Sequence, residues 1–311
     1  MSDLSYRLMA IAGVVCISFA PILVRAADDA GDLTIAFFRS LYALPFLALL
    51  YWGTRHRDER PRKSRLIAVG AGIFLGFDLT FWHASIGEIG AGLATVVVNM
   101  QVVFVALLAW ALFHEKPGRR AVALLPVILL GVFLISGAGS TDAYGDSPGL
   151  GTAQSLLSAL FYALFVLLLR QSGRGHKTPA TGPVFDSTIG TAVTTLIIGV
   201  LFTSDFSLAI SWPVHGWLLL LALVAQVVGW LFIARALPNL PALETSVLLL
   251  GQPMLAILWA RLLFDEAMGT SQWIGVALVL AGLVIFSLRK ADADGSDETG
   301  QQTIQTVDDS V

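Results

Sequence analysis

Cysteine and charge are what this chain of 311 residues has least of. A single cysteine, Cys16, excludes a disulfide scaffold. Charged residues make up 13% of the chain and apolar ones 56%; soluble domains carry about 25% charged residues. A soluble protein of this length could not cover its surface with so few charges. The net charge of −3 provides no basic field for nucleic acid. Also absent are an H-E-x-x-H helix, a G-x-S-x-G elbow, a P-loop and a glycine-rich dinucleotide fingerprint. These absences argue against an enzyme and exclude a self-contained ATP-driven pump. No cofactor is expected, and no metal: neither His83 nor His114 has a ligand partner at i+3 or i+4.

What the chain does have is apolar sequence in membrane-length runs. A spanning helix needs about 20 mostly apolar residues. Ten such runs occur, at about 8–24, 33–53, 66–86, 89–113, 121–139, 150–169, 184–203, 214–234, 243–264 and 273–288. The alternating ten-residue pattern of a membrane barrel does not appear. The expected fold class is an all-α integral membrane protein with ten transmembrane helices. With the N-terminus inside, sixteen of the 19 Lys and Arg residues fall on the inner side. This predicts a multi-pass protein of the cell inner membrane with both termini cytoplasmic. The first run has Arg7 as its one preceding base and Pro21 within it, which argues against a cleaved signal. Residues 291–311 carry six acids and no base, and read as a disordered acidic cytoplasmic tail.

A shift of 151 residues superposes Gln101 on Gln252, Ala109 on Ala260, Phe113 on Phe264 and Glu115 on Glu266. It also brings Gly118 onto Gly269 and Gly131 onto Gly282. The expected repeats are residues 1–139 (helices one to five) and 150–290 (helices six to ten), joined by an external linker at 140–149. Five is odd, so the second copy enters the membrane from the opposite side. Inverted repeats are the architecture of secondary transporters that alternate around a midplane site.

The residues that carry these patterns also carry a family resemblance. They are Arg39 after Phe37-Phe38, then Phe113-His114-Glu115 and Gly131 in the first half. In the second half they are Gln226, Gly229, Pro241, Gln252-Pro253, Phe264-Asp265-Glu266 and Gly282. Together they resemble two EamA domains of the drug/metabolite transporter superfamily, over nearly the whole chain, with the aromatic amino-acid exporters as the functional likeness. That resemblance implies metabolite export, with the fifth and tenth helices at the periphery. One departure is Val102, where the family often has proline; Pro253 holds the matching place in the ninth helix.

Polar side chains at membrane depth are costly and face protein or a water-filled cavity. The candidate substrate cavity comprises Asp78, Trp82, Asn99, Gln101, Ser158, Tyr162, Gln226, Trp230 and Gln252. Spacings of four place Asp78 with Trp82, Ser158 with Tyr162, and Gln226 with Trp230 on shared helix faces. Gln101 and Gln252 are equally well read as structural hydrogen-bonding groups between helices. Asp78 is open to three roles: a proton carrier, a partner for a substrate ammonium, or a neutral hydrogen-bonded acid. Arg39 is read first as half of an ion pair, with snorkelling and a substrate carboxylate as alternatives. Asp186, Glu244 and Arg261 read as helix ends or gate-side ion pairs. Trp52, Trp212, Trp217 and Trp273 read as interfacial anchors, Pro253 as a hinge, and Gly72 with Gly76 as a close-packing pair.

No lysine lies within any span, so phosphorylated cargo would lack the cations it needs. The expected function is therefore secondary active or facilitative export of small neutral or zwitterionic metabolites, amino acids first. The expected partners are that small-molecule substrate and the lipid bilayer, with no nucleic acid; a monomer suffices to form the pore. A sugar-phosphate or nucleotide-sugar antiporter is the alternative, and a channel is the alternative class.

Overall fold

The computed structural model describes residues 3–113, 119–137, 142–236, 240 and 242–285. Helix α1 covers Leu4–Ala26. It breaks at Phe19, and Pro21 lies in the first turn of the following segment, where its missing N–H costs nothing. Helix α2 is Asp32–Thr54 and passes through Pro45. Arg62–Val98 is two helices meeting at Gly90, whose φ of 82° suits glycine. Residues 62–89 are α3. Residues 91–98 begin α4, which turns at Asn99-Met100 and resumes as Gln101–Phe113. Then come α5 (Arg119–Ile135), α6 (Pro148–Gly173) and α7 (Thr181–Phe202). Helix α8 has three parts: Val214–Leu221, a π-helical stretch at Ala222–Gly229, and Trp230–Ala236. Helices α9 (Ala242–Phe264) and α10 (Thr270–Ile285) complete the set.

Six helical segments are long and apolar enough to cross a membrane, and four shorter ones are apolar as well. No strand occurs among the described residues. The outward faces are apolar: Leu49, Phe133, Leu201, Phe202 and Leu262 are all exposed. In water such a surface would aggregate, whereas in lipid it is the solvated one. The chain is an all-α integral membrane protein. Trp52, Trp212, Trp217 and Trp273 are exposed, and Trp52 lies under the Arg55 guanidinium at 3.9 Å. His114, Glu115 and the 291–311 tail lie outside the described residues, as does the Glu244 side chain.

Packing is reciprocal between the first five helices and the last five. Helix α3 packs on α6 and α7; α8 packs on α1 and α2 in return. Helix α4 packs on α6 as α9 does on α1, while α2 meets α7 and the start of α4 meets α9. The crossing of α5 with α10 repeats the rule in detail. A Cβ on Gly131 would lie 2.8 Å from Val279 Cγ2, and a Cβ on Gly282 would collide with Ile128. Positions 128 and 131 become 279 and 282 on adding 151, so one contact is the other with the repeats exchanged. Gly72 and Gly76 both turn toward α7. A Cβ on Gly72 would come within 2.9 Å of the Gly190 Cα, and one on Gly76 within 2.8 Å of the Thr194 Cβ. Small residues let these backbones approach closely enough to pack without long side chains.

Candidate functional site

Where α2, α3, α6 and α8 pack together, they hold a buried polar cluster. Arg39 projects from α2 and is 6% exposed. Its Nε donates to Gln226 Oε1 at 3.1 Å. Gln226 lies in the π-helical stretch of α8, and such interruptions gather at functional sites because their wide turn re-aims a side chain. Asp78, on α3, is 3% exposed and accepts a hydrogen bond from the Ser158 hydroxyl of α6 at 2.5 Å. Arg39 lies within electrostatic reach of both Asp78 and Tyr162. It makes no ion pair within 4.0 Å among the described residues, a correction to the ion-pair expectation. Gln226 takes the Arg39 Nε and Ser158 takes one Asp78 oxygen instead, which leaves Arg39 Nη1 without a partner.

Three buried polar atoms of the cluster have no hydrogen-bond partner among the described residues: Arg39 Nη1, Trp82 Nε1 and His83 Nε2. The Arg39 Cζ stands 5.5 Å from the Trp82 ring centroid. His83 Nδ1 lies 3.1 Å from the Asp32 carbonyl oxygen. A carbonyl can only accept, so Nδ1 carries the hydrogen and Nε2 presents a lone pair. A buried donor without an acceptor costs about 1–3 kcal/mol, and more when it is charged. Two such donors on neighbouring helices are therefore a place where a ligand's acceptors gain most.

The other candidates stand outside the hydrogen-bonded cluster. The Asn99 amide donates to the Thr95 carbonyl at 2.7 Å and so closes the first part of α4. Gln101 and Gln252 are half-buried and form no hydrogen bond among the described residues. Trp230 packs with Val14, Ile17 and Ile233. Pro253 is buried inside a continuous α9. Among the described residues no group of His, Cys, Asp and Glu is arranged to hold a metal.

Each end of α3 meets a seal. At the Arg62 end, Arg60 donates to Asp58 Oδ1 at 2.9 Å through Nε and to Oδ2 at 2.8 Å through Nη2. The same Nη2 reaches Asp186 Oδ2 on α7 at 2.9 Å, and Arg65 pairs with Asp186 Oδ1 at 3.3 Å. The Thr54 and Thr181 hydroxyls meet at 2.7 Å beside them. Burial pushes the Asp58 carboxyl up, but the Arg60 hydrogen bonds and charge outweigh it and hold the group at about 2. Asp186 is thus an ion-pair residue, whereas Arg261 only donates to the Asp265 carbonyl at 3.2 Å.

At the Gly90 end, Glu266 accepts the Ala91 N–H at 2.8 Å and the Gly92 N–H at 3.2 Å. It caps the first turn of α4 from the other repeat, where a carboxylate also meets the positive end of the helix dipole. Burial raises this carboxyl above its ordinary value, and the two amide bonds pull it back in part. Sequence reasoning marked Glu266 through the repeat but not its role, and it missed Arg60 and Asp58. It also missed Thr152 and Ser155, whose unpartnered buried hydroxyls precede Ser158 at three-residue spacing on α6; that spacing was the available signal.

A family model described as the EamA-like transporter family matches residues 4–137 and 149–288. Among curated proteins, the chain is 25% identical over 289 residues to the uncharacterized transporter sll1319 of Synechocystis sp., covering 86% of this chain and 82% of that one. It is 26% identical over 257 residues to the pseudopaline exporter CntI of Pseudomonas aeruginosa, covering 82% and 86%. A solved crystal structure shares the fold, with a TM-score of 0.58 at 15% identity over 93% of this chain and 99% of that one.

Proposed function

The chain belongs to the EamA-like transporter family, and we propose that within it this protein exports small neutral or zwitterionic metabolites. Amino acids, aromatic and hydrophobic ones included, are the first candidates. One observation carries the reading: the hydrogen bonds of Arg39 and Asp78 both cross between the repeats. Arg39 of the first repeat holds Gln226 of the second, and Ser158 of the second holds Asp78 of the first. A carrier that rocks one half against the other must work around such a seam. The reciprocal packing supports two halves related by an in-plane axis, with five helices each and opposite entry. The charge balance supports a zwitterion: one buried acid stands near one buried cation, Arg39, that has no carboxylate within 4.0 Å. A phosphorylated cargo calls for more buried cations than this. The outward direction is supported by the relative whose name states export. The distribution of basic residues supports a reading with both termini on the cytoplasmic side of an inner membrane.

The alternation has its stops at the two seals. Opening toward the Arg62 end separates Arg60 from Asp186, and opening toward the Gly90 end separates Glu266 from the first turn of α4. Transport of an amino-acid panel into proteoliposomes, with and without a pH gradient, tests the reading. Saturable uptake of neutral amino acids is the expected result. Uptake of phosphorylated sugars with no amino acid carried overturns it, and the pH arm reports whether protons are moved.

A further inference from the structure

Resting on the carrier reading above, we propose that Arg39 Nη1 and the Trp82 indole N–H form the receptor for the cargo's carboxylate, and that Asp78 faces the cargo's cationic end. The site thereby selects solutes with a free carboxylate. Both donors are more than nine-tenths buried and neither has a partner among the described residues. The guanidinium cannot turn freely, because Gln226 holds its Nε. Its carbon stands 5.5 Å from the centroid of the indole ring, so two donors on adjacent helices, with no acceptor assigned to either, lie in one neighbourhood. A carboxylate supplies two acceptor oxygens and the matching charge, and charge-assisted bonds in a dry site are the strong ones. Amides and esters supply an acceptor without the charge. Asp78 spends Oδ1 on Ser158, which leaves Oδ2 to accept from an ammonium.

The test is competition against counterflow of L-phenylalanine in proteoliposomes, using L-phenylalaninamide, phenethylamine and 3-phenylpropionate. The amide and the amine are expected to compete at least about tenfold more weakly than phenylalanine, the worth of one hydrogen bond to a charged group. Trp82→Phe keeps the ring and removes the N–H. It is expected to raise the half-saturation concentration for phenylalanine several-fold and to weaken amide competition less. Equal competition by the amide, or an unchanged acid-to-amide ratio in Trp82→Phe, overturns the receptor while the carrier reading stands. If no amino acid is carried, calorimetric titration of the purified protein with 3-phenylpropionate decides. Saturable binding lost in Arg39→Gln and weakened in Trp82→Phe upholds the receptor while the amino-acid reading falls; absence of binding overturns the receptor as well.

Discussion

Arg39 depends on Gln226 for its one hydrogen bond, so the amide is the residue to change. Gln226→Leu strands the Nε beside an Nη1 that already lacks a partner, and should cost about 2–3 kcal/mol, the worth of a hydrogen bond to a charge. Thermal unfolding in detergent should show a clear fall in Tm; an unchanged Tm would mean that the Arg39–Gln226 bond contributes nothing. Gln226→Glu would place a carboxylate against the guanidinium across the repeats. If the halves rock as proposed, the pair must separate in each cycle, so exchange should slow while Tm holds or rises. At this scale the sequence displayed which residues matter and not whom they meet. Asp78, Ser158 and Gln226 stand out as polar residues in apolar runs, yet their partners lie 80 and 187 positions away. Spacing along one helix cannot encode that.

The start of α4 is made by two residues from opposite halves of the chain, Gly90 and Glu266. Glu266→Ala leaves the Ala91 and Gly92 amides buried without acceptors, at about 1–3 kcal/mol each. Glu266→Gln keeps one of the two acceptor oxygens and sets an NH2 against the other amide, so it should recover only part of the loss in the same unfolding assay; full recovery would mean that one of the two bonds and the charge contribute nothing. The other seal carries a pH signature. Asp58 drops from an ordinary 3.8 to about 2, so its contribution is complete above the unfolded value and disappears as pH falls through the folded one. The destabilisation by Asp58→Asn, about 2 kcal/mol, should therefore be constant between pH 5 and 8 and shrink only under strong acid. A loss that varies across the neutral range would contradict the pairing. The helices themselves were legible as apolar runs. The gap between the runs at 66–86 and 89–113 also marked the break at Gly90 to within a few residues. The turn at Asn99-Met100 and the π-helical stretch were not legible, because a segment apolar on every face has no periodicity for an interruption to disturb.

The whole molecule repeats its own contacts. Gly131 lies against Val279 as Gly282 lies against Ile128, so Gly131→Val and Gly282→Val should each destabilise by about 1–3 kcal/mol through overpacking. Thermal unfolding of the two variants checks the equivalence, and a large difference between them would break it. The sequence carried this symmetry in a handful of polar and glycine matches at one offset, while its apolar majority was silent. Reciprocal halves meeting at a buried polar seam are what a rocking carrier requires, and a channel needs no such seam to open and close in turn. The most direct measurement is the exchange itself: uptake of labelled L-phenylalanine into proteoliposomes loaded with unlabelled L-phenylalanine, compared with empty ones. Saturable uptake that accelerates when the lumen is loaded is the expected result. A flux that rises linearly with concentration and ignores the luminal substrate would contradict alternating access.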